Sequence, residues 1–291
     1  MAQLSWFEEL TADQAAEVTG LLEAAQHTDG VAPVGEAVRL RMRPGATGSR
    51  HLLAHLDGEL AGYAHVDLIG DSGGHQVAEF AVHPRHRHQG VGEALLKALP
   101  QESLRIWAHG GHPDAEKLAE KLGFRKVREL LRMRLRVEYD LPEPKLPEGI
   151  TIRPFVPGKD EAAVVYVNHR AFDWHPEQGA MSIEDVRAKE DEDWFDPEGF
   201  LLAFDAEDRL AGFHWTKIHT PALGEVYVVG VDPDRQGGGL GRALTLVGLR
   251  HLQQQGVKEV MLYVEADNAP AVRVYTGLGF TLWDADVQYA R

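Results

Sequence analysis

The chain repeats itself, and nothing else in it limits the possible folds as strongly. Leu60-Ala61-Gly62-Tyr63 returns as Leu210-Ala211-Gly212-Phe213, Val82-His83-Pro84 as Val231-Asp232-Pro233, and Gly90 with Gly92 as Gly239 with Gly241. Each echo falls about 150 residues after its original, and Leu122-Gly123-Phe124 returns as Leu278-Gly279-Phe280 at a slightly longer interval. Four anchors in one order imply two copies of one structural programme, and 291 residues suit two domains. Tyr139 to Gly149, YDLPEPKLPEG, reads as a semi-rigid proline-rich spacer. The expected division is therefore 1–140, a linker at 141–149, and 150–291.

In the first copy, Thr11-Ala12-Asp13-Gln14 is a capping box for a helix through about Ala25. A loop from His27 to Gly35 follows, and Glu36 opens a second short helix. His51 to Val66 alternates around Asp57-Gly58, a hairpin signal. Val77–Val82 and Leu104–Ala108 read as strands, Glu93–Leu99 and Ala115–Leu122 as helices, and Gly123-Phe124 as the start of a strand pair reaching Val137.

The second copy holds the most informative stretch, Gly224 to Arg250. Val226 to Val231 is an apolar, β-branched strand that Asp232-Pro233 ends. Gln236-Gly237-Gly238-Gly239-Leu240-Gly241 then leads into a helix carrying Leu244, Val247 and Leu249. A glycine loop between strand and helix aims several N–H groups at one point with the positive helix end behind them, which suits a pyrophosphate. Each such bond to a charged oxygen contributes roughly 1.5–3 kcal/mol. Arg242-Ala243 stand where a Walker loop needs lysine and a hydroxyl, and GGGLG does not match GxGxxG, so neither nucleotide motif is present.

Composition narrows the partners. Thirty Lys and Arg against 45 Asp and Glu give a net charge of -15, which repels nucleic acid and anionic membranes. Zero cysteines exclude disulfides, thiolate metal sites and a cysteine nucleophile, and fit a reducing cytoplasm. The N-terminus shows no signal-peptide pattern, and no apolar run approaches the roughly 20 residues of a membrane helix. Six residues, His83 to His88, include three histidines; they read as a metal cluster or as a partly cationic loop beside phosphates.

The placement of Gln236, Gly239 and Gly241 resembles motif A of the GCN5-related N-acetyltransferases (GNATs), Q/R-x-x-G-x-G/A. That resemblance implies two tandem α/β (α+β mixed sheet) acyl-CoA N-acyltransferase domains using acetyl-CoA without a metal. Tyr263 to Phe280 resembles the family's closing motif, in which Asn268 starts a helix and a tyrosine, here Tyr275, faces the coenzyme sulfur. A phenol of pKa about 10 can protonate a thiolate of about 8.5; the other reading is an aromatic that packs the helix. The first copy has Ala108-His109-Gly110-Gly111-His112-Pro113-Asp114 at the equivalent place, with Lys121 near the tyrosine position, and is expected to be non-catalytic. Glu225 is the candidate base, or else a solvated strand-end glutamate; the backbone N–H groups of Val229 to Val231 are candidates for holding the thioester carbonyl.

Several longer strings narrow the resemblance to the mycothiol synthase family. They are Asp29–Glu36 (DGVAPVGE), His175–Gly179 (HPEQG), Trp194–Pro197 (WFDP), Gly212–Lys217 (GFHWTK) and Gly224–Tyr227 (GEVY). Those enzymes acetylate the cysteinyl amine of Cys-GlcN-Ins. By this resemblance Glu36, Glu177, Lys217, Glu225 and Tyr263 contact that acceptor. Phe80, Ala81, Val82, His88, Gln89, Gly90, Val91, Gly92 and Glu93 line one coenzyme site. Val229, Gly230, Val231, Gln236, Gly237, Gly238, Gly239, Leu240, Gly241 and Arg242 line another, completed by Asn268, Ala269, Pro270, Ala271, Val272 and Arg273. Gly237 and Gly238 depart from the family, where basic residues often stand. Carboxylates with one lysine suit a cationic amine among hydroxyls, while on spacing alone Glu36 reads equally as a first-turn helix charge, Lys217 as an exposed strand cation and Glu177 as a loop charge. Trp174 and His175 are read as packing. The expected protein is a cytoplasmic monomer with a small-molecule acceptor and neither nucleic acid nor membrane as partner. The alternatives are a GNAT for another amine, an aminoglycoside or a protein N-terminus, and a non-catalytic acetyl-CoA-sensing tandem.

Overall fold

The computed structural model describes residues 2–43, 45–71, 73–100, 102–137, 140–175 and 178–291. In chain order the first copy forms β1 (Gln3–Phe7), α1 (Ala12–Asp29), α2 (Glu36–Arg41), β2 (Ser49–Leu56), β3 (Glu59–Asp67), β4 (Gln76–Val82), α3 (Val91–Ala98), β5 (Leu104–Ala108), α4 (Pro113–Lys121) and β6 (Arg125–Arg136). The second forms β7 (Thr151–Pro154), α5 (Glu161–Ala171), α6 (Ile183–Glu190), β8 (Phe200–Phe204), β9 (Leu210–Thr220), β10 (Leu223–Val231), α7 (Leu240–Gln254), β11 (Glu259–Glu265), α8 (Ala269–Gly277) and β12 (Thr281–Ala290). They build two compact units, one from residues up to Leu130 with Asp284–Arg291, the other from Leu131–Trp283.

Unit 1 is a mixed sheet. Strands β1 to β4 pair antiparallel in sequence order, β4 and β5 run parallel, and the end of β12 pairs antiparallel with β5, Val287 opposite Ala108. The β2–β3 hairpin turns through Asp57 and Gly58, both at positive φ (54° and 87°), as a tight two-residue connection requires. Alternation sends Leu52 and Ala54 to a core beneath α3 that includes Val91 and Leu95, and Leu53 and Tyr63 to a second core with Leu22 of α1 and Val38 of α2. Thr11 and Gln14 form the expected capping box, and α1 runs on to Asp29 before Gly30 caps it in the left-handed region.

Unit 2 repeats the arrangement. Strands β7 to β10 are antiparallel, β10 and β11 parallel, with α5 and α6 on one face and α7 and α8 on the other. The repeated glycine of the LAG anchors has one cause in both units. A Cβ on Gly62 would lie 2.8 Å from Leu95 and Val91, and one on Gly212 would lie 2.8 Å from the Gly230 carbonyl and 3.0 Å from Leu244. The helix after each glycine loop packs too closely on the sheet for a side chain there.

One expectation is corrected. Arg125–Arg136 is one strand rather than a pair, because RKVRELLRMRLR contains no turn residue. The compact units meet along the chain at Leu130–Leu131, ahead of the 141–149 spacer. Leu131, Met133, Leu135 and Val137 alternate into the core of unit 2 beside Leu249, Leu252, Val260 and Leu262. The spacer itself has no helix or strand, and its Leu141 and Pro142 carbonyls accept from Arg250 of α7.

One ion cluster ties the chain's last strand into unit 1. His109 donates from Nε2 to Glu79 at 2.9 Å and from Nδ1 to Asp286 at 3.1 Å. The two carboxylates also accept from the Gly35 and Gly110 amides. Burial disfavours the charged imidazole, but the hydrogen bonds to Asp286 and Glu79 outweigh it and push the pKa up from 6.5 to about 10.

Two stability measurements follow from these contacts. His109 has its folded pKa raised, so its stabilisation is complete below 6.5 and is lost as pH climbs through about 10. The thermal midpoint of unit 1, followed by circular dichroism, falls across that interval in the wild type and far less in His109→Gln. The second concerns Gly248 in α7. Alanine normally favours a helix interior by about 1 kcal/mol, but a Cβ here would lie 2.1 Å from the ring of His214, which is fully buried and bonded through Nδ1 to the Leu244 carbonyl. Gly248→Ala therefore destabilises by about 1–3 kcal/mol in denaturant unfolding.

Candidate active site

The chemistry of unit 2 is organised by the place where β10 and β11 part. Their parallel register covers Leu223 to Val226 against Glu259 to Leu262. A bulge between Val226 and Val228 then bends β10, which stays paired with β9 through Val231 opposite Gly212. Asp232 N–H donates to Ala211 of β9. Because successive residues of a strand point their N–H groups to opposite sides, Val229 and Val231 point theirs away from β9, toward the parted side. These are two of the amides expected to hold a thioester carbonyl. In unit 1 the register of β4 with β5 likewise stops at Glu79 opposite Trp107, and His83 N–H donates to Ala61. Both copies open at the same point.

Beyond the opening lies the glycine loop. Gly239 caps α7 in the left-handed region (φ 84°), and no side chain supplies the capping bond. A Cβ on Gly237, Gly238 or Gly239 would meet nothing within 4 Å, so the helix end is open to a ligand. Those residues fit a pyrophosphate. Gln236 folds back, donating to the Val231 carbonyl at 3.1 Å, and Arg242 reaches the Gly277 carbonyl at 3.4 Å. Asp232 is held by Arg170 at 2.8 Å and 3.0 Å, which keeps its carboxyl below the usual carboxylate range.

Tyr275 and Asn268 stand on α8. Asn268 caps the helix by accepting from Ala271 N–H at 3.2 Å, as its sequence position implied. Tyr275 is half-buried against Phe280, and burial pushes its phenol up to about 12. A phenol so raised stays protonated at neutral pH and is a donor.

Glu225 lies on the opposite face of the sheet from Tyr275, since its neighbour Val226 enters the α7–α8 core. It is buried, 7% exposed, and stands opposite Lys217 in the β9–β10 register. Its Oε2 is 2.7 Å from Nε2 of His219. The Lys217 ammonium lies 4.4 Å from the ring of Trp194 and 5.5 Å from that of Tyr227, which themselves pack edge to face. Tyr263 shares this face because Val260, Leu262 and Val264 fill the other; it is 41% exposed. Glu265 sits two residues on, 3.7 Å from His175. Lys217, Glu225 and Tyr263 thus share one face of the sheet. Glu36 opens α2 in unit 1, and Glu177 lies outside the described residues. His219 and Glu265 were not singled out from the sequence; the β9–β10 pairing with its bulge brings His219 to Glu225, and no short motif encodes that.

Unit 1 keeps the pocket and changes its chemistry. A cavity of about 530 Å³ is lined by Phe80, Ala81, Val82, His88 and Gly90 to Glu93, eight of the nine residues expected there. Gln89 is the exception, its side chain donating to the Arg85 carbonyl. Lys121, near the tyrosine position, pairs with Glu93 at 2.5 Å, and Lys97 joins it at 2.7 Å. Those lysines hold the Glu93 carboxyl down at about 2. The three histidines beside the loop go to separate partners: His83 caps Arg85 N–H, His86 meets Glu59 and His88 meets Asp114. Among the described residues no group of three or more such side chains could hold a metal ion, and no helix is long and apolar enough to cross a membrane.

Comparison with known proteins agrees with this geometry. Residues 168–280 match the acetyltransferase (GNAT) family and residues 47–126 match an acetyltransferase (GNAT) domain. A solved GCN5-related N-acetyltransferase from Sphaerobacter thermophilus is 27% identical, with a TM-score of 0.76 over 98% of this chain and 94% of its own. A tandem GNAT protein from the clavulanic acid biosynthesis pathway has the same fold at 19% identity, with a TM-score of 0.69 over 99% and 98%. The mycothiol acetyltransferase of Actinosynnema mirum is 62% identical over the full length of both chains. This chain therefore belongs to the mycothiol acetyltransferase family, enzymes of two tandem GNAT units.

Proposed function

We propose that unit 2 transfers the acetyl group of acetyl-CoA to the cysteinyl amine of Cys-GlcN-Ins, giving mycothiol and CoA. The observation that carries this reading is the combination on β10 of a buried carboxylate, Glu225, with the outward amides of Val229 and Val231 a few residues on. Acetyl-CoA supplies an activated acyl carbon and a thiolate leaving group. The carbon–nitrogen bond forms as the carbon–sulfur bond breaks. Glu225 accepts the proton that the nitrogen loses, and Tyr275 delivers one to the sulfur. The amides of Val229 and Val231 orient the acyl oxygen, and the open end of α7 with Gly237 to Arg242 receives the pyrophosphate, with Asn268 to Arg273 alongside.

Lys217, set on the aromatic faces of Trp194 and Tyr227, is a donor to acceptor hydroxyls, and Tyr263 offers an exposed ring beside it. Glu36 and Glu177 enter this reading on resemblance alone. Unit 1 holds its own acyl carrier or supports unit 2 without turnover, since Lys121, paired to Glu93, stands near where the phenolic acid would be.

The direct test is purified protein with acetyl-CoA and Cys-GlcN-Ins, the acetylated product being followed by mass. Turnover of an aminoglycoside or a peptide N-terminus in place of Cys-GlcN-Ins overturns the acceptor; coenzyme binding without turnover of any amine overturns the enzyme. Tyr275→Phe lowers kcat by about 100-fold or more while leaving the KM for acetyl-CoA within a few-fold. An unchanged kcat removes Tyr275 as the acid.

A further inference from the structure

We propose that His219 is the positioning residue of Glu225, fixing one carboxylate oxygen so that the other faces the acceptor amine. This rests on Glu225 being the base, as argued above. Three observations support it. First, the contact is short and directional, Nε2 of His219 to Oε2 of Glu225 at 2.7 Å, whereas Oε1 carries no hydrogen bond among the described residues. A carboxylate held at one oxygen has one orientation for the other, and the general-base geometry depends on that orientation.

Second, the backbone is built to bring the imidazole there. In the β9–β10 ladder Thr220 stands opposite Leu223 and Ile218 opposite Gly224, so His219 is the extra residue of a bulge. A bulge re-aims a side chain that a regular ladder would set one position away. The turn that closes the hairpin is itself fixed, the Thr220 hydroxyl accepting from the Ala222 and Leu223 amides, while the Ala222 carbonyl accepts from Lys258 and Glu259. The β-bulge therefore has a defined position, and with it the ring.

Third, the exposures of the two partners differ in the sense this role needs. The Glu225 side chain is 9% exposed and His219 32%, so the carboxylate is the more buried partner and the imidazole the more exposed one. An ionised buried carboxylate without a donor would be costly. Among the described residues, Lys217, Lys189 and Glu265 make contacts elsewhere: the Lys217 ammonium on the Trp194 ring, Lys189 of α6 at 5.8 Å from the Tyr227 ring, and Glu265 near His175. His219 is the side chain whose removal would free Glu225 to rotate.

The experiment compares His219→Ala, His219→Gln and Glu225→Gln in steady-state kinetics, on whichever amine the wild type acetylates. Glutamine can place an amide N–H close to the position of Nε2, so it preserves the clamp without the ring. His219→Ala is expected to lower kcat about 10-fold to 100-fold with the KM for acetyl-CoA within about twofold. His219→Gln should recover most of that loss, and His219→Ala should add little once Glu225→Gln is present. A kcat unchanged in His219→Ala overturns the proposal. So does an equal loss in both His219 variants, or an effect of His219→Ala that persists undiminished in the Glu225→Gln background. The acceptor reading is judged separately, by whether the wild type acetylates Cys-GlcN-Ins at all; these ratios do not depend on that answer.

Discussion

Two parallel strands remain hydrogen-bonded only while their twists agree, and in unit 2 that agreement ends at Val226 opposite Leu262. The bulge that follows on β10 turns the strand away while β9 keeps its own pairing. A buried backbone amide without a partner costs on the order of 1–3 kcal/mol, so a parted pair of strands persists where its free amides are served by water or a ligand. Every other feature of the site is placed by this opening. The glycine loop lies beyond it, α8 with Tyr275 packs on one face of the sheet, and Glu225 stands just before it on the other.

Both copies keep the opening, the capped 3-10 turn after it and the left-handed glycine that starts the next helix (Gly90 at φ 81°, Gly239 at φ 84°). What differs is the charge set on that frame. Where unit 2 has Arg242 in the first turn of α7, unit 1 has Glu93 in the first turn of α3, neutralised by Lys97 and Lys121. At the end of β4, where unit 2 has only apolar strand residues, unit 1 carries Glu79 bonded to His109, whose other ring nitrogen meets Asp286. The two copies share backbone geometry, and at these positions unit 1 carries mutually satisfied ion pairs.

The face of unit 2 that carries Lys217 and Glu225 rests on an aromatic column. Phe155, Phe200 and Trp215 stack nearly parallel at 4.5 Å and 4.3 Å, and Trp215 meets Trp194 and Tyr227. Such pairs contribute about 0.5–1.5 kcal/mol each beyond area burial and leave little freedom of orientation. The surface that carries Lys217 is therefore set by the core beneath it. His214, alternating to the other side of β9, is held neutral, since full burial lowers its pKa to about 4. Its imidazole fills the space left by Gly248.

The repeat, the glycine loop and the capping residues were legible from sequence because each is local. A left-handed cap needs glycine, a helix start needs Thr11 or Asn268, and a strand needs its alternation, wherever the chain later packs. Lys217, Glu225 and Tyr275 were singled out by family resemblance, not by spacing. Tertiary structure alone decided that β6 ends in unit 2 while β12 ends in unit 1, because the apolar residues of β6 suit either core and only packing selects one. It also decided which groups meet: His219 with Glu225, and His109 with Glu79 and Asp286, the last pair separated by 177 residues of chain. Sequence specifies what each segment can form through short-range sterics and hydrogen bonding. Which side chains share a proton depends on strand register, bulges and the order of strands, and these are fixed when distant segments close together.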